Sequence, residues 1–160
     1  MTYTDTTCSL ILSVRNLNFG AAFRGKFMIR KMKKEDLLSA KILMQSIPNF
    51  WHESWTEDTI EKALTASAGL SFVYELNSQI VGVIFAFDFG FRAYIAELAV
   101  SEQSRNLGIA RNLIEHVEFI LKKKKCELVI ADVWKTAEPF YKKLGWEHPN
   151  AILVRKSLID

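Results

Sequence analysis

Three apolar runs follow one another closely in the middle of the chain, and they constrain the fold more than any other feature. They cover Leu70 to Leu76, Gln79 to Phe87 and Phe91 to Val100, and they are rich in β-branched and aromatic residues. Such runs are typical of β-strands. Because connections this short join neighbouring strands that run in opposite directions, we expect an antiparallel sheet.

The spacing of apolar residues changes after the third run. From Ile109 to Leu121 they recur three or four positions apart, which predicts an amphipathic helix that ends at lysines 122–125. An apolar run from Leu128 to Val133 then predicts a further strand, and Thr136 to Leu144 predicts a short helix that stops at Gly145.

The flanking segments complete the pattern. Upstream, Phe27 to Lys31 predicts a strand, Leu37 to Ile47 a helix, and Thr56 is a good N-cap for a second helix. Downstream, Ile152 to Val154 predicts a last strand. The expected fold is a mixed α/β domain in the order β-α-α-β-β-β-α-β-α-β, with a mostly antiparallel central sheet and flanking helices.

Composition excludes several classes of protein. A chain of 160 residues with 49% hydrophobic and 24% charged residues is long enough for one domain. A net charge of +3 is too small to indicate nucleic acid or a membrane surface as partner. Cys8 and Cys126 form neither a disulfide framework nor a metal-ligand spacing. We expect a cytoplasmic protein without metal, nucleic acid or membrane.

The first 27 residues differ from the rest of the chain. They hold three bases, Arg15, Arg24 and Lys26, and one acid, Asp5, so most of the positive surplus belongs to this segment. The segment lacks the charged start and long apolar stretch of a secretory signal. We expect residues 1–27 to be an extension and residues 28–160 to form the domain.

A polar loop between the third strand of the run and the long helix carries the strongest chemical signal. Unpaired N–H groups at a helix start attract anions, and Arg105 adds a full positive charge there. Gly108 allows a ligand to approach the backbone closely, and Ala110 keeps the next position small. The arrangement suits a phosphate or pyrophosphate.

Two motifs resemble one known family. Arg105-x-x-Gly108-x-Ala110 after a strand is similar to the coenzyme A pyrophosphate loop of the GNAT acetyltransferase superfamily, whose pattern is Gln/Arg-x-x-Gly-x-Gly/Ala. The later segment from Ala137 to Trp146 resembles the helix of that family that carries a tyrosine, here Tyr141. The resemblance covers about residues 28 to 158.

The resemblance implies that acetyl coenzyme A binds in a V between the strands Phe91 to Val100 and Leu128 to Val133. It places the pantetheine arm along Leu98, Ala99 and Val100. It also implies that the pyrophosphate rests beside Arg105 on backbone N–H groups. These belong to Asn106, Leu107, Gly108, Ile109, Ala110 and Arg111.

The resemblance also suggests the proton-transfer groups. Tyr141 matches the tyrosine that commonly donates a proton to the coenzyme A sulfur. The base that accepts the proton of the amine is left open between two carboxylates and a water chain. Asp132 interrupts an apolar strand and matches a base of N-terminal protein acetyltransferases, whereas Glu97 lies on a strand where many members carry a glutamate.

The acceptor is less well defined. Trp51, His52 and Trp55 fall in the connection that lines the acceptor site in this family. We expect transfer of an acetyl group to a primary amine by direct attack in a ternary complex, with small molecules favoured over a protein terminus or lysine. A non-catalytic acyl-coenzyme A sensor is the alternative of another class, and a homodimer stays open.

Overall fold

A five-stranded sheet forms the centre of the computed structural model, which describes residues 26–158. Neighbouring strands along the chain are also neighbours in the sheet, and only the last pair is parallel. The strands are β1 (Phe27–Lys31), β2 (Ser71–Leu76), β3 (Gln79–Asp88), β4 (Ala93–Val100) and β5 (Val129–Ala131). The predicted mixed, mostly antiparallel sheet is confirmed.

Among residues 26–158, four α-helices flank the sheet. They are α1 (Leu37–Gln45), α2 (Glu57–Ala66), α3 (Ile109–Lys123) and α4 (Glu138–Lys143). Thr56 is the N-cap residue of α2 as predicted, and its backbone N–H donates to the hydroxyl of Thr59 at 2.9 Å. Within the described residues, no helix is both long and apolar enough to cross a membrane.

The two faces of the sheet bury two separate cores. On one face lies α3, whose Leu113, Ile114 and Val117 are fully buried together with side chains from β2 to β4. The other face is covered by α1 and α2, which pack on residues of β3 and β4 such as Phe85 and Ala99. The side chains of β4 therefore face either α3 or the pair of helices α1 and α2.

The predicted last strand does not form. Ile152, Leu153 and Val154 have no regular secondary structure, and their exposed fractions are 87%, 69% and 79%. A strand needs a partner for its backbone groups, and within residues 26–158 this segment pairs with no strand. The prediction of an N-terminal extension concerns residues that lie almost entirely outside the described range.

Candidate active site

The strands β4 and β5 pair over a short stretch only. Their parallel register runs from Ala93 opposite Val129 to Ile95 opposite Ala131 and then stops. Beyond that point β4 continues to Val100, while β5 has ended. The last residues of β4 therefore pair only with β3 among the described strands, as the predicted opening between β4 and β5 requires.

A β-bulge at Ala96 sets the orientation of the side chains in this opening. Glu97 lies opposite Phe85 and Ile95 lies opposite Ala86, so Ala96 has no partner on β3. Tyr94 and Glu97 are three residues apart and would face opposite sides of a regular strand. The extra residue brings them to one face, the face of α1 and α2 to which Phe85 belongs.

Asp132 follows β5 directly and meets this pair. The Tyr94 hydroxyl donates a hydrogen bond to the Asp132 carboxylate across the gap between β4 and β5. Nothing in the sequence pattern distinguishes Tyr94 from the other aromatic residues of the strand, since its role depends on the bulge. Both predicted candidates for the base, Asp132 and Glu97, thus lie in one acidic cluster.

The cluster changes the acidity of its members. The pKa of Glu97 is raised to about 7, mainly by burial and in smaller part by the negative charge of Asp132. Burial also raises the pKa of Tyr94, and its hydrogen bond to Asp132 adds to the effect. Near neutral pH, Glu97 is therefore able to gain or lose a proton, as a general base must.

The predicted acid, Tyr141, lies on α4 close to the same cluster. Tyr141 is 8% exposed, and its ring contacts those of Phe140 and Trp146 at centroid distances of 5.3 Å each. Burial raises the pKa of Tyr141 to about 12, and the charge of Asp132 contributes. A small cavity of about 90 Å³, lined in part by Ala131, Tyr141 and Trp146, opens beside it. Tyr141 is therefore neutral at physiological pH and can donate a proton.

The predicted phosphate loop has the geometry of an anion cradle. Gly108 precedes α3 with φ of +75°, and nothing lies within 4 Å of the place where its Cβ would be. The Asn112 N–H donates to the Gly108 carbonyl at 2.9 Å, which leaves the earlier N–H groups of the first turn pointing outward. Arg105 is half-exposed beside the loop and pairs with Glu102 at 3.4 Å. These residues fit a pyrophosphate.

The predicted acceptor residues lie on the same side of the sheet as Glu97. Trp51 and Trp55 are half-buried, contact each other edge-on at 5.4 Å and pack on the core beneath α1 and α2. His52 is exposed, and its Nδ1 forms a hydrogen bond of 2.8 Å with the hydroxyl of Ser54. Trp55 is also 6.4 Å from the ring of His52.

Another aromatic contact links the connection between α1 and α2 to the segment after β5. Phe50, in the connection between α1 and α2, meets Trp134, which follows β5, at a centroid distance of 5.9 Å. Phe50 directly precedes the predicted acceptor residues Trp51 and His52, but its contact with Trp134 came only from the tertiary structure.

Comparison with known proteins identifies the family. Residues 32–158 match the family described as the acetyltransferase (GNAT) domain. The chain belongs to the GNAT acetyltransferase family. This match covers both the loop at Gly108 and the helix at Tyr141, the two motifs that carried the resemblance.

Solved structures share the fold. An acetyltransferase of Trypanosoma brucei is 20% identical, with a TM-score of 0.64, over 82% of this chain and 100% of the other. An aminoglycoside N-acetyltransferase in complex with coenzyme A is 19% identical, with a TM-score of 0.68, over 86% and 99%. The ribosomal-protein-S18-alanine N-acetyltransferase of Escherichia coli is 22% identical, with a TM-score of 0.65, over 75% and 77%.

The family assignment makes acetyl coenzyme A the co-substrate of this GNAT domain. The cradle at Gly108 and the opening between β4 and β5 are the features of the chain that fit it. Within residues 26–158, no group of three or more His, Cys, Asp or Glu side chains is arranged to hold a metal ion.

Proposed function

We propose that this GNAT protein transfers the acetyl group of acetyl coenzyme A to a primary amine of a small molecule, by direct attack in a ternary complex. The observation that carries the proposal is the meeting of Glu97, Asp132 and Tyr94 where β4 and β5 diverge. Bound acetyl coenzyme A supplies a thioester whose carbonyl carbon accepts a nucleophile. The chain supplies the proton transfers and the positioning.

Glu97 acts as the general base. An ammonium ion cannot attack, so one proton must leave the nitrogen before the new N–C bond forms. The pKa of Glu97 near 7 matches this task, because its carboxylate form is present at neutral pH and binds a proton readily. The charge of Asp132 helps to raise the pKa of Glu97. The Tyr94 hydroxyl donates a hydrogen bond to the Asp132 carboxylate and so holds it in place.

Tyr141 acts as the general acid. As the C–S bond breaks, the electron pair goes to sulfur, and the Tyr141 hydroxyl donates a proton to the thiolate. Its burial keeps the hydroxyl protonated, since an anion on the ring would lack solvation and would face Asp132. The N–H groups of the first turn of α3, with Arg105, would hold the pyrophosphate.

The chemical nature of the acceptor distinguishes a small-molecule acetyltransferase from an N-terminal protein acetyltransferase. Solved structures of the same fold include enzymes whose names specify an aminoglycoside or a ribosomal protein as acceptor. We favour a small molecule because the aromatic residues of the connection between α1 and α2, Trp51 and Trp55, offer a surface on which a compact acceptor can stack. An N-terminal protein acetyltransferase is the second candidate, supported by Asp132 and Tyr141 close together at the site.

A thiol-release assay with acetyl coenzyme A tests the proposal. A panel of small primary amines and short peptides with free N-termini is offered as acceptors. Tyr141→Phe is expected to lower turnover while the affinity for coenzyme A stays nearly unchanged, and Glu97→Gln to lower turnover at neutral pH. Glu115→Gln, an exposed position on α3, is the matched control.

The outcomes separate the alternatives. Release of thiol with peptides alone would favour the N-terminal acetyltransferase. Thermal protection by coenzyme A, together with no thiol release for any acceptor, would favour the non-catalytic sensor. Unchanged turnover in Tyr141→Phe would show that another group protonates the sulfur.

A further inference from the structure

The ends of β3 and α3 and the starts of β4 and β5 meet at one end of the sheet. The Ala93 N–H donates to the Leu128 carbonyl at 2.8 Å and thereby joins the start of β4 to the residue before β5. Lys124 Nζ lies 2.6 Å from the Asp88 carboxylate and joins the end of α3 to the end of β3. We call the surface formed by residues 88–92 and 122–128 the tip.

The tip exposes three large apolar side chains. Phe91 is 93% exposed, Phe89 is 60% exposed and Leu128 is 50% exposed. The turn that carries both phenylalanines is closed by a hydrogen bond of 3.0 Å from the Phe89 N–H to the Arg92 carbonyl. Apolar side chains grouped on a surface of fixed shape indicate an interaction site, whereas single exposed ones do not.

The tip is also basic. Its charged side chains are five bases and two acids, namely Arg92, Lys122, Lys123, Lys124 and Lys125 with Asp88 and Glu127. All five bases are exposed, and within residues 26–158 only Lys124 and Asp88 among these side chains belong to an ion pair. The tip therefore holds as large an excess of positive charge as the whole chain, whose net charge is +3.

Charges next to the tip do not cancel this excess. Glu118, the nearest acid before the tip on α3, accepts a hydrogen bond of 3.0 Å from an indole N–H. Glu53 and Lys135 lie in the two connections that meet at the contact between Phe50 and Trp134, and their opposite charges offset each other. Even with Glu118 included, the tip attracts anions.

The apolar side chains of the tip distinguish between two polyanionic partners. A single-stranded nucleic acid stacks its bases on open aromatic faces. However, Phe87 covers one face of Phe89 at a centroid distance of 6.2 Å, and Leu128 has no aromatic face. A lipid bilayer needs only apolar groups that enter the boundary between headgroups and acyl chains, with bases beside them for anionic headgroups. The tip therefore fits an anionic membrane surface better.

We propose that the tip docks this protein on a membrane surface that contains anionic lipids. Phe91 and Leu128 enter the boundary below the headgroups. Arg92 and lysines 122–125 contact the lipid phosphates. The net charge of the chain gave no sign of such a partner, because it does not record where the charges lie. The inference goes beyond the proposed acetyl transfer and does not depend on it. Since β4 runs for eight residues, about 26 Å, away from the tip, the loop at Gly108 stays clear of the bilayer.

Sedimentation of the full-length protein with lipid vesicles tests the proposal. Vesicles of phosphatidylcholine with about 30% phosphatidylserine should bind the protein about tenfold or more tightly than phosphatidylcholine alone, since each base near an anionic surface contributes about fivefold. Added salt should remove this difference by screening the charges. Phe91→Ala should weaken binding to the mixed vesicles about tenfold, the factor expected for burying a phenylalanine side chain. Lys122→Gln together with Lys125→Gln should weaken it by a similar factor.

Two variants outside the tip are matched controls. Ile42→Ala shortens a side chain that is 58% exposed on α1, and Lys62→Gln with Lys143→Gln removes two exposed lysines on α2 and α4. Both should leave vesicle binding unchanged. All variants should bind coenzyme A like the unaltered protein, because none of them changes the loop at Gly108, and this binding shows that each variant is folded.

Failure of the full-length protein to bind the mixed vesicles would overturn the proposal, as would equal losses in the tip variants and the controls. A fluorescent oligouridine serves as the nucleic-acid probe. If it binds, and the tip variants weaken its binding more than vesicle binding, the surface takes nucleic acid and the proposal is wrong. The thiol-release assay tests the acetyl transfer separately, so the two proposals can fail independently.

Discussion

The close packing of α3 against the sheet depends on Gly82. A Cβ at Gly82 of β3 would lie 2.8 Å from Ile109 Cγ2, 3.1 Å from Leu113 Cδ1 and 3.2 Å from the Cβ of Tyr74. Tyr74 lies opposite Gly82 on β2 and is held by the ladder, so it cannot withdraw. In Gly82→Ala, α3 must therefore rise by about 0.6 Å to restore ordinary contact distances.

We expect two measurable consequences of Gly82→Ala. Overpacking of this kind costs about 1–3 kcal/mol in free energy of unfolding, which chemical denaturation or a thermal melt would record. The displaced end of α3 is the end that we propose as the anion cradle, beside Gly108. Lengthening its hydrogen bonds from about 2.9 Å to about 3.5 Å reaches the limit of useful geometry, so coenzyme A affinity should fall about tenfold in a calorimetric titration.

A double-mutant cycle with Ile109→Ala identifies the cause. Removal of the Ile109 side chain removes the nearest clash, so the double variant should be more stable than the sum of the two single changes predicts, by about 0.5 kcal/mol or more. Gly90→Ala is the control, because Gly90 has φ of +81° with open space around its Cβ position. It should lower stability through backbone strain and leave coenzyme A affinity unchanged. Additive effects in the cycle would refute the reasoning.

Three further predictions concern charge and backbone. The kcat/KM for the acceptor should rise with pH through about 7 as Glu97 loses its proton. Asp132→Asn should move the midpoint of this rise to lower pH, since it removes a charge that raises the pKa of Glu97. A midpoint that stays in place would exclude electrostatic coupling between the two carboxyl groups. Gly108→Glu should abolish coenzyme A binding in a calorimetric titration through bulk and negative charge, and binding retained would show that the cradle lies elsewhere. Arg30 lowers the pKa of Asp36 through hydrogen bonds of 2.7 and 2.9 Å. Asp36→Asn should therefore cost about 1–3 kcal/mol at pH 7, as measured by denaturation, and the difference should shrink as the pH falls below about 4, where the carboxylate of the unfolded chain is protonated; a difference independent of pH would point to lost packing.

Local patterns predicted most of the elements because their causes are local. The amphipathic stripe that begins at Ile109 and the cap at Thr56 both appear where the sequence indicated. The segment from Ile152 to Val154 has strand-like residues too, but a strand needs a partner edge, which residue types cannot supply.

Some residues of the candidate site could likewise be predicted from the sequence, whereas others could not. The motif around Gly108 and the tyrosine at position 141 were visible in the sequence, because a helix start and a family pattern are properties of short segments. Tyr94 was not visible, because its place beside Glu97 follows from a bulge at Ala96 that only the β3–β4 register reveals.

The sequence by itself determined the fold class, the order of the elements up to α4 and the segment that we propose as the anion cradle. The tertiary structure alone decided which residues meet in the opening between β4 and β5. Asp132 and Tyr94 are far apart in the chain, and their hydrogen bond exists because β5 pairs in parallel with β4 only as far as Ile95 and Ala131. Such contacts depend on strand register, a property of the paired strands rather than of either segment alone.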